Sequence, residues 1–383
     1  MYKEVLYKPL SCFLTAYSEK NVNNEYRPVA VGKFGIRKRE HIYTKELSSD
    51  YSKNKLIFNN TLTIGMGSNQ VDIGILTEDA TYSVSPAYHT YRISGINPKY
   101  LDYCLKSKNA EMFAKYSKKG ARQGKSIDLR KWITFEIPVY SEEEQALIVS
   151  KLDLISETIE CEEDRLSLYE ELVWSKYYEM FGNPIDNQKG WDIVNLSELG
   201  SFKNGLNFGA NESGYEIRCL GVGDFKDRYI IDDIGLLSTV SLNTKPNEDY
   251  FLRDEDLVFV RSNGKKSLVG RCIAVYPVKN DVTYSGFCIR FRKNTDRLMT
   301  GFLLYTLKTG EIRTMMGAKG SEIQNINQEI LGALKIPLPP LDLQKAFIEF
   351  KDKVNCAMLK VTLTRDHFVE LFDAEMAQYF ISK

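Results

Sequence analysis

The chain has 383 residues, of which 43% are hydrophobic and 27% are charged. This composition excludes a disordered or fibrous protein and leaves room for two or three folded domains. The net charge is zero, with 51 basic and 51 acidic residues, so a site for a polyanion must come from the local distribution of charge.

The amino-terminal segment has no feature of an export signal. "MYKEVLYKPLSCFL" has an acidic residue where a signal peptide is basic, and no apolar run approaches the roughly 20 residues that cross a bilayer. We therefore expect a cytoplasmic protein that does not enter a membrane. The seven cysteines form no C-x-x-C pair, so neither disulfides nor a zinc site is expected.

Residues 1–140 alternate strand-like runs with one helix-like run. "KLIFNNTLTIGMG" (55–67) and "VDIGILTEDATYSVSPAYHTYRI" (71–93) predict strands joined by Gly, Asn and Ser turns. "NPKYLDYCLKSKNAEMFAKYS" (97–117) predicts a helix. The pattern is typical of a mixed α/β domain.

Two basic stretches of this first domain are candidate contacts for a polyanion such as a nucleic acid. "GKFGIRKRE" (32–40) contains four bases, and residues 115–131 contain seven bases and one acid. The second stretch includes "GARQGKS" (120–126), a loop with two glycines after the predicted helix. Arg, Asn and Gln can read base edges, whereas Lys chiefly binds phosphate. The candidates are Lys33, Arg37, Lys38, Arg39, Lys119, Arg122, Gln123 and Lys125.

Residues 141–182 predict one long helix with a coiled-coil seam. Ser141 and Glu144 make a capping box at its start, and Gly182 followed by Asn183-Pro184 ends it. The segment has twelve acids and three bases, so phosphate repels it and protein partners can bind it. The seam recurs at steps of three and four residues and consists of Ile148, Leu152, Ile155, Ile159, Leu166, Tyr169 and Val173.

Residues 183–340 predict a second mixed α/β domain. "DLVFVRSNGKKSLVGRCIAVY" (256–276) predicts strands around a glycine-containing turn, and "TGFLLYTLKTGEIRTMMG" (300–317) predicts the matching helix. The turn and the counterpart of the 120–126 loop supply further candidate DNA contacts, namely Arg261, Asn263, Lys265, Lys266, Lys319 and Gln324.

An internal repeat relates the two halves of the chain. "KIPLPPLDLQ", ending at Gln344, echoes "EIPVYSEEEQ", ending at Gln145, and the same interval of 199 residues relates Phe181 to Phe380. A repeat of about 200 residues is too long for a solenoid and indicates a duplicated domain with its connector. The repeat predicts a second long helix over residues 341–383.

The two long helices are predicted to pack against each other, because neither has an apolar stripe wide enough for stability alone. An antiparallel register pairs Glu162 with Arg365, which are opposite charges in the two seams, and places Ile155 on Phe372. The second seam consists of Phe347, Val354, Met358, Val361, Phe368, Phe372 and Tyr379.

These parts, in this order, resemble the specificity (S) subunit of type I restriction-modification systems. The motifs are the 256–276 segment, "IPLPPLDLQ", "GWDIVNLSELGSF" (190–202) and the duplicated helix, and the resemblance covers nearly the whole chain. It implies two target-recognition domains that each read half of a bipartite double-stranded DNA sequence. It also implies two helices that hold them apart and bind methyltransferase (M) subunits, two of them, and restriction (R) subunits.

We therefore expect a mixed α/β (α+β) fold with pseudo-twofold symmetry. Target-recognition domain 1 occupies 1–140, spacer helix 1 occupies 141–182, target-recognition domain 2 occupies 183–340 and spacer helix 2 occupies 341–383. The expected function is a non-catalytic DNA-specificity subunit for a methyltransferase and restriction complex in phage defence, with no cofactor, metal or catalytic residue.

Two other functions fit parts of the sequence. The first is a coiled-coil scaffold for proteins, in which the basic loops have no role. The second is an enzyme that binds nucleotide with "GARQGKS", but Gly120 and Gly124 enclose three residues where a P-loop needs four. The three histidines, His41, His89 and His367, indicate no catalytic or metal-binding group.

Overall fold

The computed structural model describes the chain apart from residues 1–4, 33–34, 43–47, 120–124, 210, 226–227, 279–280, 317–324 and 382–383. It gives only the backbone of His41, Met66, Lys119, Lys125 and Lys266. The chain divides into two compact units. Unit 1 consists of Met1–Arg165 with Val361–Lys383, and unit 2 consists of Leu166–Lys360.

Unit 1 mixes short strands with helices. In chain order these are β1 Leu6–Pro9, β2 Leu14–Tyr17, β3 Val29–Gly32, β4 Gly35–Lys38, β5 Lys55–Ile57, β6 Thr61–Met66, β7 Val71–Leu76, β8 Tyr82–Val84, β9 His89–Ile93, α1 Pro98–Ser107, α2 Asn109–Tyr116, β10 Ser117–Lys119, β11 Lys125–Ile127, α3 Leu129–Trp132, β12 Glu136–Val139 and the first part of α4, Glu142–Phe181.

The main sheet of unit 1 is antiparallel, with strand order β2-β9-β6-β7. Leu62 of β6 and Ile73 of β7 share one hydrophobic core with Leu101 and Leu105 of α1. The strand β1 pairs with β12 immediately before α4 begins. This pairing brings the start of the chain to the start of the long helix.

The helix predicted over residues 97–117 is divided into α1 and α2, which corrects the prediction. The reason is a contact distant in sequence: the Asn109 side-chain oxygen accepts from the Val71 N–H at 3.0 Å, and its amide donates to the Val71 carbonyl at 2.8 Å. The first residue of α2 is thereby tied to β7. The run predicted as a helix over 300–317 is divided in the same way.

Unit 2 has the elements β13 Asp192–Asn195, α5 Leu196–Leu199, β14 Gly200–Asn204, β15 Tyr215–Leu220, β16 Ile230–Ile231, β17 Thr239–Leu242, β18 Asp256–Val260, β19 Cys272–Val275, β20 Val282–Tyr284, β21 Cys288–Lys293, α6 Thr300–Lys308, α7 Gly310–Met316, α8 Gln328–Gly332, β22 Lys335–Leu338 and α9 Leu341–Phe380. The end of α4 belongs to unit 2, and the end of α9 belongs to unit 1.

The larger sheet of unit 2 has the order β14-β21-β18-β19-β16, and a second sheet has the order β17-β15-β20. Leu257 and Phe259 of β18 enter the core that contains α6, whereas Val258 and Val260 enter another core on the opposite face. Burial on both faces explains the continuous apolar run of this strand. The order β14-β21-β18-β19 matches the order β2-β9-β6-β7 of unit 1, because the four strands of each set occupy the same places in the sheet when they are ranked by their position in the chain.

The two long helices predicted from the sequence are confirmed as α4 and α9. At the start of α4, the Glu144 N–H donates to Ser141 Oγ at 3.3 Å and the Ser141 N–H donates to Glu144 Oε2 at 3.0 Å. At its end Gly182 has a φ of +75°, the left-handed conformation of a helix stop. The Trp191 indole N–H then donates to the Phe181 carbonyl at 3.0 Å.

Within each unit the two helices run antiparallel. In unit 1, the Lys151 ammonium pairs with the Glu375 carboxylate at 2.6 Å, and Tyr140 contacts Tyr379 near the start of α4. The predicted register places Lys151 opposite Met376, which is one residue after its actual partner Glu375. In unit 2, Phe347 of α9 packs on the last two turns of α4. All the predicted seam residues are buried or half-buried.

The predicted ion pair between Glu162 and Arg365 is wrong. The Glu162 carboxylate binds Arg165 on its own helix at 2.7 Å, and Arg365 binds Asp366 at 2.6 Å. A partner three residues along the same helix needs no approach from a second helix, so this local pair forms instead.

The mixed α/β class predicted from the sequence is confirmed. No helix among the described residues combines the length and apolar character that a membrane span requires. The domain boundaries at residues 140, 182 and 340 remain a prediction.

Candidate nucleic-acid interface

The turn after β18 in unit 2 carries the candidate residues Arg261, Asn263 and Lys265. The Asn263 side-chain oxygen accepts from the Lys265 N–H at 2.7 Å, which closes the Asn-Gly-Lys turn. The Lys265 side chain is exposed, whereas Arg261 is half-buried and one guanidinium nitrogen lies 3.4 Å from the Gly286 carbonyl. For Lys266 only the backbone is described, within a short 3-10 helix Lys266–Leu268.

Two other segments hold this turn in place. The Arg261 N–H donates to the Phe287 carbonyl at 2.8 Å, and the Arg261 carbonyl accepts from the Ile326 N–H at 2.9 Å. Ser262 also forms an isolated β-bridge with Asn325. Asn325 is thus beside the turn, and it directly follows the segment that contains Lys319 and Gln324. Those two candidates lie outside the described residues.

These segments, together with Val222, line an open cleft of about 430 Å³. Its described lining is uncharged and combines hydroxyl and amide groups with one aromatic ring. Such a lining offers hydrogen-bond donors, acceptors and an apolar contact, the groups that read base edges. The lining residues are Val222, Ser262, Asn263, Gly264, Phe287 and Asn325.

Ser262, Phe287 and Asn325 are not among the contacts predicted from the sequence. Phe287 follows a Ser-Gly pair in "TYSGFCIRFR", and such a pair indicates a turn, but the sequence does not show that the ring is exposed. Ser262 and Asn325 come together only through the bridge between distant segments, and nothing local in the sequence predicts it.

Two arginines of β21 have structural roles. Arg292 makes a double hydrogen bond to Asp256, with two contacts of 2.7 Å, and this bond raises the pKa of the guanidinium. Arg290 is 5% exposed and donates to the Asp249 carbonyl at 3.0 Å, while burial lowers its pKa. Both side chains stabilise unit 2, so they are poor candidates for DNA contact.

In unit 1, the strands β10 and β11 come directly before and after residues 120–124 in the chain. Lys119 pairs with Lys125 across the hairpin, although neither side chain is described. Arg122 and Gln123 lie outside the described residues. The Lys118 ammonium is 3.9 Å from the Asp128 carboxylate at the base of the hairpin.

The other basic stretch of unit 1 forms the hairpin β3–β4. Arg37 and Lys38 are exposed at the end of β4, and the half-buried Arg39 begins a 3-10 turn. The hairpin packs closely on β7, because a Cβ at Gly74 would lie 2.5 Å from the Ile36 side chain. Lys33, which lies between the two strands, is outside the described residues.

The buried thiols are not suited to nucleophilic catalysis. Burial raises the pKa of Cys104 and of Cys219 to about 12, so these thiols stay protonated at neutral pH. Among the described residues, no group of three or more His, Cys, Asp or Glu side chains is placed to hold a metal ion.

Residues 188–357 match the family model of the type I restriction modification DNA specificity domain. The chain is 27% identical over 315 residues to the StySPI specificity subunit of a type I restriction enzyme from Salmonella potsdam, which covers 73% of this chain and 66% of that one. It is 24% identical over 195 residues to the EcoKI specificity subunit of Escherichia coli (strain K12), covering 48% and 39%. The matches span less than two thirds of each relative's length.

Two solved structures share the fold. The type I S subunit from M. genitalium has a TM-score of 0.53 and 15% identity, with 99% of this chain and 97% of that one covered. A chain from a structure on assembly and conformational transition of the type I restriction-modification system has a TM-score of 0.61 and 18% identity, with 99% of both covered. Residues 188–357 therefore match the type I restriction modification DNA specificity domain, and the chain is similar in sequence to type I specificity subunits.

Proposed function

We propose that this chain gives a cytoplasmic type I methyltransferase and restriction complex its DNA sequence specificity. The observation that carries the proposal is the cleft after β18, which Asn263 and Phe287 line, with Lys265 exposed on the same turn as Asn263. Backbone hydrogen bonds hold these turns in place. Amide groups suited to base edges and a lysine suited to phosphate occur together there. The cleft falls within the residues matched by the DNA specificity model.

Each unit is proposed to read one half of a bipartite target in double-stranded DNA. The shared order of the main sheets supports this, because two domains of one kind can each bind one half-site. In unit 1 the proposed contacts lie on the hairpins β3–β4 and β10–β11. The proposed contacts from both units are Lys33, Arg37, Lys38, Arg39, Lys119, Arg122, Gln123, Lys125, Arg261, Asn263, Lys265, Lys266, Lys319 and Gln324.

The long helices are proposed to bind methyltransferase subunits, two per complex, and restriction subunits. Leu147, Leu154 and Leu168 of α4 are 70%, 65% and 62% exposed, and their spacing in multiples of seven places them on one helix face. On α9, Leu359 and Leu363 are 61% and 62% exposed. Exposed leucines that repeat along a helix are typical of a protein interface.

A nucleotide-binding enzyme is less well supported. In a P-loop the lysine lies at the start of a helix, whereas Lys125 lies in strand β11, where it pairs with Lys119. The protein scaffold remains the main alternative, since it needs the exposed leucines and no DNA contact.

DNA binding by the chain co-expressed with its methyltransferase subunits tests the proposal. We expect binding to duplex DNA that weakens steeply as salt rises, because counterion release drives phosphate contacts, and adenine methylation at one bipartite sequence. A complex that assembles but neither binds duplex DNA nor directs methylation to a sequence would favour the scaffold.

Substitution of a helix leucine tests the docking surface separately. Leu168→Asp should abolish co-purification of the methyltransferase subunit, because a carboxylate cannot be buried without a partner. Ser167→Asp adds the same charge at the neighbouring exposed position and should leave co-purification intact. Equal loss in the two variants would contradict a leucine-dependent interface.

A further inference from the structure

Phe287 is an exposed aromatic residue in an otherwise buried segment. Its side chain is 62% exposed, whereas Tyr284 and Cys288 on either side of the turn are 0% exposed. The ring therefore projects from the turn between the buried strands β20 and β21. Exposure of a ring of this size loses the stabilisation that burial would provide, so folding alone does not explain its position.

The backbone that carries the ring is fixed on both sides. The Phe287 carbonyl accepts from the Arg261 N–H at 2.8 Å, and the Gly286 N–H donates to the Leu206 carbonyl at 2.6 Å. The Leu206 N–H donates in turn to the Tyr284 carbonyl at 2.9 Å. A ring on such a fixed turn loses little conformational entropy when it contacts a ligand.

The surroundings of the ring match one edge of an A·T base pair. In the major groove, adenine presents an acceptor and a donor that an amide side chain can bind, and thymine presents a methyl group that takes an apolar contact. The cleft places Phe287 with the amides of Asn263 and Asn325. Wedge residues that separate base steps instead act in the minor groove.

We propose that Phe287 determines specificity by contacting the 5-methyl group of a thymine in the target. This inference rests on the proposed function and deepens it by naming the base and the chemical group that unit 2 reads. Uracil has the same hydrogen-bonding groups as thymine and lacks only the methyl group, so exchange of the two isolates this contact.

The experiment measures the affinity of the methyltransferase-bound chain for its target, with each thymine replaced in turn by uracil. The target is first identified from the methylation pattern of cells that carry the complex. For the wild-type chain we expect a loss of about fourfold at one thymine, since burial of one methyl or methylene group contributes about 0.8 kcal/mol. Phe287→Ala should bind the thymine target at least about fourfold more weakly and no longer distinguish uracil at that position.

Two further variants keep the result interpretable. Phe287→Leu retains an apolar side chain and should keep part of the preference for thymine. Leu236→Ala removes another apolar residue of unit 2, 59% exposed and absent from the described lining of the cleft, and should bind as wild type does. Thermal unfolding of each variant shows whether unit 2 remains folded.

The outcomes separate the inference from the function on which it rests. If wild type binds no specific sequence, the proposed function fails. If wild type binds its target but Phe287→Ala keeps the same preference for thymine, the inference is overturned. It is also overturned if Phe287→Ala weakens binding to all sequences equally, or if no thymine-to-uracil exchange affects the wild-type chain.

Discussion

Gln344 Oε1 accepts a hydrogen bond from the Met299 backbone N–H at 2.8 Å. The side-chain amide of Gln344 also donates to the carbonyls of Pro339 and Arg297, at 2.8 and 3.0 Å, and the residue is 0% exposed. Met299 directly precedes α6. One buried side chain therefore joins the first turn of α9 to the start of α6 and to the segment before α9.

Gln145 has the same role in unit 1. Its oxygen accepts from the Asn97 N–H at 2.9 Å, and its amide donates to the Tyr140 carbonyl at 2.8 Å. Asn97 is the residue before α1. The glutamine repeated at an interval of 199 residues thus satisfies backbone groups that are at least partly buried at both helix starts.

Gln344→Ala should lower the free energy of unfolding by about 1–3 kcal/mol, because the buried Pro339 carbonyl and the partly buried Met299 N–H are left without this partner. Urea denaturation of the full chain measures this loss. Gln378→Ala, at an exposed position on the same helix, should change stability little. Equal stability of the two variants would show that the Gln344 hydrogen bonds contribute nothing net.

The ion pair between Lys151 and Glu375 should make stability depend on pH in the alkaline range. Hydrogen bonding to Glu375 raises the pKa of Lys151 above its usual 10.5, so the contribution is complete at lower pH and is lost as pH rises through the raised pKa. Between pH 9 and pH 11.5 the wild-type chain should lose more stability than Lys151→Ala. Parallel pH profiles of the two proteins would contradict this expectation.

Glu162 should be energetically coupled to Arg165 and not to Arg365. A double-mutant cycle of Glu162→Gln with Arg165→Gln should give about 0.3–1 kcal/mol of coupling energy, the range for partly exposed pairs. The cycle with Arg365→Gln serves as the control and should give none. Coupling only in the second cycle would instead support the predicted ion pair between Glu162 of α4 and Arg365 of α9.

Gly205→Ala should destabilise unit 2 by about 1–3 kcal/mol, as expected for overpacking. A Cβ at this position would lie 2.2 Å from the Ser285 carbonyl oxygen and 2.4 Å from that of Tyr284, and a backbone atom cannot rotate away. Gly223→Ala is the matched control, because its Cβ would meet no atom within 4 Å. Calorimetry of both variants compares their melting temperatures, which should fall only for the first.

Lys265→Ala should weaken DNA binding similarly for all sequences and reduce the slope of log affinity against log salt by about 0.9, the value for one lost phosphate contact. Lys189→Ala removes an exposed lysine of a different turn in unit 2 and should leave the slope unchanged. A selective loss for the target sequence would instead indicate that Lys265 contacts a base.

The candidate site was only partly accessible from the sequence. The Asn-Gly-Lys turn was recognisable because Asn263 and Lys265 are close in the chain, and a turn depends on adjacent residues. Phe287 was missed because its exposure depends on the packing of two strands and on a hydrogen bond from Arg261. The arginines of β21 can be set aside only when Asp249 and Asp256 are seen beside them.

The sequence by itself determined the two long helices, their ends and the strand-rich character of both units. These features depend on interactions within a few residues, such as the capping box at Ser141 and the left-handed Gly182. Only the tertiary structure decided where α1 gives way to α2, which residue Glu162 pairs with and which segments enclose the cleft after β18. Each of these depends on partners that folding brings together, or on a choice between partners of similar energy, and local patterns carry little information about either.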